Sequence, residues 1–421
     1  VTVIGLDDTD SRTAGMCTTY AATRLAERIA AAGATVERTL LVRLNPAVEY
    51  KTRGNAALAV HCDLDAERAL ELASETLDLA EADDPMTNPG VVVADCDPGA
   101  VPDAVADHAT GAVRDLLDTE AARQRIDAAG FESASVGNGR GLIGALAAVG
   151  AWRAFDDWTH EHIAYRERSR WGTERSVDAE SVRAAADRHY PTVWDTVDRE
   201  SGYPVCVPRT PCPILYGIRG DDPTACRAVA DEIESEPIDR SRTFVTNQGT
   251  DAHLQRAPLA DLADDSAYRT VGRVDTAPET REGGHVFFTL EDESAAVECA
   301  AFEPTKRFRD RIRALRVGDR LTACGEVSDG TLKLEKFALR ERVETELVTP
   351  DCPDCGRSMS SAGRNQGYRC RDCGTSRDGK VHRPIDRDLD VGWYEVPPVA
   401  RRHIAKPLVR GGFDGPVHPE Q

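Results

Sequence analysis

The opening stretch VTVIGLDDTDSRTAGMCTTY, Val1 to Tyr20, passes from a β-branched apolar run straight into Asp7, Asp8, Thr9 and Asp10. A Gly15-Met16-Cys17-Thr18-Thr19 turn then leads into a helical pattern. Val1 to Leu6 shows no alternation, which predicts a strand buried on both faces. Three carboxylates within four residues at the end of a buried strand repel one another and lose solvation unless a cation sits on them. Mg2+ carrying nucleotide phosphates is the usual cation. The alternative is a solvated acidic turn that caps the next helix through Thr18-Thr19.

Working outward, Tyr20–Ala32 predicts a helix, Thr39–Leu44 and Ala56–Cys62 two strands, Asp65–Ala82 a helix and Val91–Ala94 a strand. Helices alternating with strands make residues 1–130 an α/β domain. The loop between the first two of these strands carries Lys51, the only lysine of the first 300 residues, with Arg53 beside it. A cation there suits a phosphate site, with a solvated loop as the alternative. The glycines at 137, 139, 141 and 144 imitate a dinucleotide loop. No strand precedes them and no acidic residue stands at the ribose position, so close packing of a glycine-rich turn on a helix explains them better. Strand-like His162–Tyr165, Ile214–Ile218 and Arg242–Thr246, with helical Thr224–Ile233, make residues 131–262 an α+β domain.

From 266 to 345 the pattern changes to five short strands, with a basic helix, Lys306–Leu315, between the third and fourth. That order matches an OB-fold barrel, a common binder of single-stranded nucleic acid. His285, Phe287 and Phe288 are stacking candidates, although strand alternation sends at least one of the phenylalanines into the core. Cys352-Pro-Asp-Cys355 and Cys370-Arg-Asp-Cys373 are two CxxC knuckles, spaced to close a structural four-cysteine zinc site with no open coordination position. Arg364, Arg369, Arg371 and Arg377 around them suit phosphate. The remaining segment mixes aromatics, prolines and cations. It is too small for a core of its own and is expected to pack on the ribbon or to order on RNA.

At 421 residues and 41% hydrophobic, the chain is long enough for several globular domains. Its net charge is −20, and only six of its 52 basic residues are lysine, a composition that fits high intracellular salt. Salt screens such a surface, so the acidity does not exclude nucleic acid. Residues 352–421 carry net +3 against −23 for the rest, and a basic segment on an acidic body marks a nucleic-acid-facing region. There is no run of apolar residues long enough to span a membrane. Paired CxxC units with scattered cysteines point to a reduced compartment. A cytoplasmic protein is expected, and its oligomeric state is not legible.

The ordered set GLDDTD…GMCTTY, LNP…YKTRGN, GRGLIGALAAVGA, TPCPILYGIRG, TNQGTDAHL, GGHVFF…CAAFEPTKRFR, the four-cysteine ribbon and YEVPP…ARRHIAKPL resembles the archaeal tRNA 2-agmatinylcytidine synthetases along nearly the whole chain. The resemblance implies a kinase-like α/β domain (1–130), a ferredoxin-like α+β domain (131–262), an OB-fold (266–345), and a zinc ribbon with a tRNA-binding tail (346–421). It implies ATP-dependent conjugation of agmatine to position 2 of the wobble cytidine of the CAU-anticodon isoleucine tRNA, so that the tRNA reads AUA. Thr18 falls on the family's phosphorylated threonine.

On that footing Asp7, Asp8 and Asp10 hold Mg2+ on ATP. Gly15, Cys17, Thr19, Lys51, Arg53 and Asn55 meet phosphate. Glu161, Trp171 and Glu174 are candidates for agmatine's guanidinium. His285, Phe287, Lys306, Arg307, Arg364, Arg369, Arg401, Arg402 and Lys406 are candidates for tRNA, and Cys352, Cys355, Cys370 and Cys373 ligate Zn2+. The amine also needs a general base, for which the sequence offers no candidate. Two rivals fit parts of the pattern: an OB-fold and zinc-ribbon binder of single-stranded nucleic acid, and a Mg2+-dependent phosphohydrolase built on the aspartates.

Overall fold

The computed structural model describes every residue except 12–14, 50, 52–53, 82 and 421. The first part of the chain folds as β1 (Thr2–Asp7), α1 (Thr18–Ala31), β2 (Val36–Arg43), β3 (Ala56–Cys62), α2 (Ala66–Leu77), β4 (Gly90–Asp95), α3 (Asp103–Arg114), α4 (Thr119–Ala129), β5 (Glu132–Ser135) and α5 (Gly141–Ala154). The chain continues through β6 (Thr159–Arg166), α6 (Ala179–His189), β7 (Val193–Trp194), the small β8 (Val197–Asp198) and β9 (Tyr203–Pro204) pair, β10 (Ile214–Gly220), α7 (Pro223–Glu232) and β11 (Ile238–Thr246).

These two regions share one nine-stranded sheet, ordered β5-β4-β1-β3-β2-β11-β6-β10-β7. A single parallel junction joins them, where Val245 and Thr246 of β11 pair with Leu40 and Leu41 of β2. β1 lies between β3 and β4, so neither of its edges meets water, as its unbroken apolar run requires. Its side chains alternate, with Val3 toward α3 and α5 and Ile4 and Leu6 toward α1 and α2.

α5 lies beyond residue 130 in sequence but packs on the first half of the sheet. Its glycines let it approach the sheet and α3 closely: a Cβ at Gly141 would meet the Gly90 nitrogen at 2.5 Å, and one at Gly150 would run into Val105. The glycine-rich stretch is thus a packing device, as its polar flank suggested. Thr18 and Thr19 do not cap α1. Cys17 occupies the N-cap position, its side chain making no capping bond to the helix amides, and both threonines are buried in the first turn.

The second sheet contains β12 (Leu254–Arg256), β13 (Ala267–Val274), β14 (Glu279–Thr280), β15 (Val286–Glu291) and β16 (Ala296–Ala301). Helix α8 (Phe308–Arg313) comes next, followed by β17 (Arg320–Ser328) and β18 (Thr331–Glu341). β17 pairs with both β13 and β18, which closes the circuit β13-β15-β16-β18-β17 into an OB barrel. β19 (Thr345–Val348) then leaves the barrel. The ribbon strands β20 (Ser360–Ser361), β21 (Tyr368–Arg369) and β22 (Ser376–Arg377) follow, and β23 (Val381–Pro384) returns against β19.

β24 (Gly392–Glu395) rejoins the barrel on β18, and β25 (Val417–His418) pairs with β24. The segment after the ribbon therefore neither packs on the ribbon nor waits for RNA. Trp393 is fully buried, and Tyr394 and Val396 extend the barrel core. Among the described residues no helix is long and apolar enough to cross a membrane.

Candidate active site and nucleic-acid surfaces

Asp7, Asp8 and Asp10 line a cavity of about 330 Å3 where β1 ends. Asp8 has φ +59°, which turns the chain sharply out of the strand. Its amide donates to the Asp7 carboxylate at 2.7 Å. Arg140, just ahead of α5, donates to Asp8 Oδ2 at 2.9 Å, and the Asn88 amide does so at 3.2 Å. Burial pushes the Asp8 carboxyl up to about 6 against the pull of Arg140. Asp7 too is held well above the usual carboxylate range, first by burial and then by the neighbouring Asp8 charge. Two carboxylates held at such cost are suited to a cation.

Opposite lies the body of α5, where a Cβ at Gly144 would overlap the Asp7 carboxylate. Gly144 thus clears the space that Asp7 occupies. Glu49, Asp115 and Asp118 add negative charge to this cavity, Lys51 and Arg140 add positive charge, and Leu116, Leu117 and Ile143 are apolar walls.

A second cavity, of about 290 Å3, shares Asp10, Gly54 and Ala56 with the first. It lies between the two halves of the sheet. Cys17 and the first turn of α1 contribute the Cys17, Thr18 and Thr19 wall, β2 contributes Arg43, β6 Glu161 and β10 Arg219. Glu161 is 4% exposed and receives Arg43 at 3.3 Å and Arg219 at 3.2 Å. Gly217 leaves room for it, since a Cβ there would sit 2.7 Å from Glu161 Oε1. Two guanidiniums against one carboxylate, beside a helix N-terminus, leave net positive charge for an anion. Glu161 is thus engaged by two guanidiniums, which weighs against the expectation that it holds agmatine's guanidinium.

Trp171 and Glu174 line neither cavity. The Trp171 ring packs edge-on against Tyr20, 5.1 Å between centroids, and its Nε1 donates to the Arg166 carbonyl. Glu174 is exposed, and its carbonyl accepts from Arg166. Gly15 has φ +84°, a backbone conformation that favours glycine ahead of α1. Asn55 lines the first cavity while donating to the Asn45 carbonyl at 2.8 Å, and Lys51 bonds the Pro46 carbonyl. Arg53 lies outside the described residues.

The groups that the sequence reading missed are Arg140, Gly144, Arg43, Arg219 and His403. Arg140 and Gly144 sit inside the glycine-rich stretch, but only tertiary contact reveals what each one serves.

On the barrel, Phe288 is core and Phe287 faces outward. Phe287 lies beneath the Arg281 guanidinium at 4.0 Å and edge-on to Phe302, which also contacts His285. Lys306 is half exposed and pairs with Glu303. Arg307 is tied to Asp198, Glu200 and Glu420. Arg401 is 3% exposed between Asp195 at 2.8 Å and Glu395 at 2.9 Å. Arg402 bonds Glu326 and Glu335, and the Lys406 amide bonds Asp251. Arg307 thus ties the barrel, and Arg401 the segment after the ribbon, to the region of β7 and β8, while Arg402 ties that segment to the barrel. Each already has carboxylate partners within the protein, which weighs against the expectation that it meets tRNA. Arg364 and Arg369 lie exposed on the ribbon.

The sulfurs of Cys352, Cys355, Cys370 and Cys373 lie within 4.8 Å of one another, with neighbouring pairs at 3.3, 3.5 and 3.6 Å. Four thiolates about 2.3 Å from one zinc lie about 3.8 Å apart, so donor set and spacing fit a structural zinc. Among the described residues no other group of three or more donors converges this way. Asp7 and Asp8, adjacent in the first cavity, offer the one or two carboxylates that Mg2+ shared with phosphates commonly uses.

An acidic, phosphate-competent cleft coupled to an OB barrel and a four-cysteine ribbon defines a multidomain protein built to bring small anions and nucleic acid together. Family models match in the same order: the TiaS TCKD domain over residues 3–64, the TiaS FLD domain over 139–253, an OB-fold nucleic acid binding domain over 268–344, and the TiaS C-terminal zinc ribbon domain over 349–389. The chain is 54% identical, over the full length of both chains, to TiaS of Haloquadratum walsbyi, the 2-agmatinylcytidine synthetase of isoleucine-2 tRNA. It resembles the solved complex of TiaS with isoleucine-2 tRNA and ATP at 41% identity and a TM-score of 0.88, covering 100% of this chain and 99% of that one. The complex of TiaS with the same tRNA, AMPCPP and agmatine matches at 39% and 0.87 over the same shares. The chain belongs to the TiaS family.

Proposed function

We propose that this protein is an ATP-dependent 2-agmatinylcytidine synthetase of the CAU-anticodon isoleucine tRNA, acting in the cytoplasm. Membership of the TiaS family supports this reading, and one observation carries it: two adjoining cavities share Asp10, one acidic and one with paired guanidiniums at the α1 N-terminus. A dicationic amine and a nucleotide triphosphate need those opposite charges side by side.

A pyrimidine carbonyl oxygen is a poor leaving group, so ATP must first convert it to a phosphoryl ester. Mg2+, when bound, supplies charge neutralisation on the triphosphate. Asp7 and Asp8 would hold it, Arg140 fixes the Asp8 carboxylate, and Asp10 stands at the junction of the cavities. Arg43, Arg219 and the first-turn amides of α1 stabilise the phosphoryl group as it passes to the pyrimidine oxygen; Thr18, on the same turn, is the position of the family's phosphorylated threonine. The wobble cytidine leaves its stack to enter the cleft. The half-buried, outward-facing ring of Phe287 and the ribbon arginines hold the rest of the tRNA.

The test is incubation at high salt with ATP, agmatine and the CAU-anticodon isoleucine transcript, followed by mass analysis of the wobble nucleoside. Conversion to 2-agmatinylcytidine is expected. Asp8→Asn should lower the rate by about 10²-fold or more while tRNA binding persists. An unchanged nucleoside, or phosphate release indifferent to agmatine, would overturn the reading.

A further inference from the structure

The segment after the ribbon delivers a side chain that the mechanism above leaves unused. His403 lines the second cavity with Cys17, Thr18, Thr19, Arg43, Glu161 and Arg219. Its backbone is fixed there: its carbonyl accepts from the Gly249 amide at 3.0 Å, and its neighbours Arg401 and Arg402 are locked in ion pairs. Its Nδ1 is buried without a hydrogen-bond partner among the described residues, while the residue keeps part of its surface open.

Asp10 also lines the cavity, at its junction with the first; on the wall beside Arg43 and Arg219 the groups other than His403 are less suited to accept a proton. Glu161 is already shared by two guanidiniums, and burial pushes the Cys206 thiol up to about 12. Burial, then Arg43, Arg219 and His253, hold His403 neutral, well below the usual imidazole range. Phosphate bound between Arg43 and Arg219 would offset their charge, so the imidazole gains basicity when the activated base is present.

We propose that His403 is a catalytic residue, the base that takes the proton from agmatine's ammonium so that the amine can attack the activated cytidine; this rests on the function proposed above. Agmatine's ammonium loses one proton to the His403 imidazole. The freed nitrogen pair then forms the C–N bond to C2, and the excess proton left on that nitrogen passes to the departing phosphate. The C2–O bond breaks, and its electron pair leaves with phosphate.

The experiment compares the full-length, zinc-loaded protein with His403→Gln. Each is given agmatine, or an analogue whose amine is replaced by an aminooxy group that is neutral at pH 7. With agmatine, His403→Gln should lose about 10²–10⁴-fold in kcat. KM for agmatine should change less than threefold, and ATP and tRNA should bind normally. The deficit should shrink at least tenfold with the aminooxy analogue and also above pH 9. A variant within threefold of the unsubstituted protein, an equal deficit for both nucleophiles, or loss of ATP binding would overturn the assignment. Should His403→Gln not fold, the unsubstituted protein still decides: agmatine transfer should show an acid limb that aminooxy transfer lacks, and matching limbs would overturn it. Absence of any transfer by the unsubstituted protein would instead overturn the function proposed above.

Discussion

Asp7 keeps its carboxylate at the end of β1 because residue 144 has no side chain. In Gly144→Ala, intrinsic helix propensity favours the variant by about 1 kcal/mol, but the methyl displaces Asp7. Agmatine incorporation should fall at least tenfold while tRNA affinity stays within twofold, measured on the same preparation. His61 on β3 is fully buried, edge-on to Trp152, with neither ring nitrogen bonded among the described residues. Burial pushes it down to about 3, so it is neutral in the fold and protonates only on unfolding across the pH range below about 6.5. Stability is therefore lost as pH falls from about 6.5 toward 3. His61→Leu should remove up to about 1.4 kcal/mol per pH unit of that slope, read from denaturant midpoints at pH 7 and 5 in constant salt. The aspartates were legible because three charges after an apolar run contradict burial. Gly144 and His61 were not, because their roles depend on neighbours distant in sequence.

Among the elements, the segment from β24 onward changes most between sequence and structure. Its Arg401, Arg402 and Lys406 read as a basic RNA arm, yet Arg401 lies between two buried carboxyls, Asp195 and Glu395. Burial raises both, Glu395 to about 7. Charge density along a chain does not reveal which charges have partners, and here the acidic partners sit on other elements. Arg401→Ala should cost about 3–5 kcal/mol at pH 8, because two buried carboxylates lose their counterion. That cost should shrink at pH 5.5, where Glu395 protonates; a pH-independent cost in equilibrium unfolding would contradict the assignment. The OB strands were legible because each is short and bounded by turns. α3, α4 and α6 were missed, being small amphipathic helices rich in alanine and charge.

At the level of the whole molecule, the shared nine-stranded sheet could not be foreseen. Its halves meet through two residue pairs separated by some two hundred residues of chain, and no local pattern encodes a parallel junction. The ribbon, by contrast, was readable from four cysteines alone. It stands on the β19–β23 stem, outside the closed barrel, so its loss should leave the rest folded. Cys370→Ser should abolish stoichiometric zinc and weaken tRNA binding, while the main unfolding transition by calorimetry stays within a few degrees. Collapse of that transition would mean the ribbon is part of the common core.

The path of the chain sets an order of manufacture. Apart from His403, every described residue lining the two cavities precedes residue 220, so the rest of the cleft's lining is synthesised before the barrel and ribbon. The wall containing His403 arrives only after both have emerged from the ribosome. A stalled or prematurely terminated product would carry the aspartates and the guanidinium pair yet have an open second cavity. An enzyme that alters codon meaning is thereby completed last at the place where it acts.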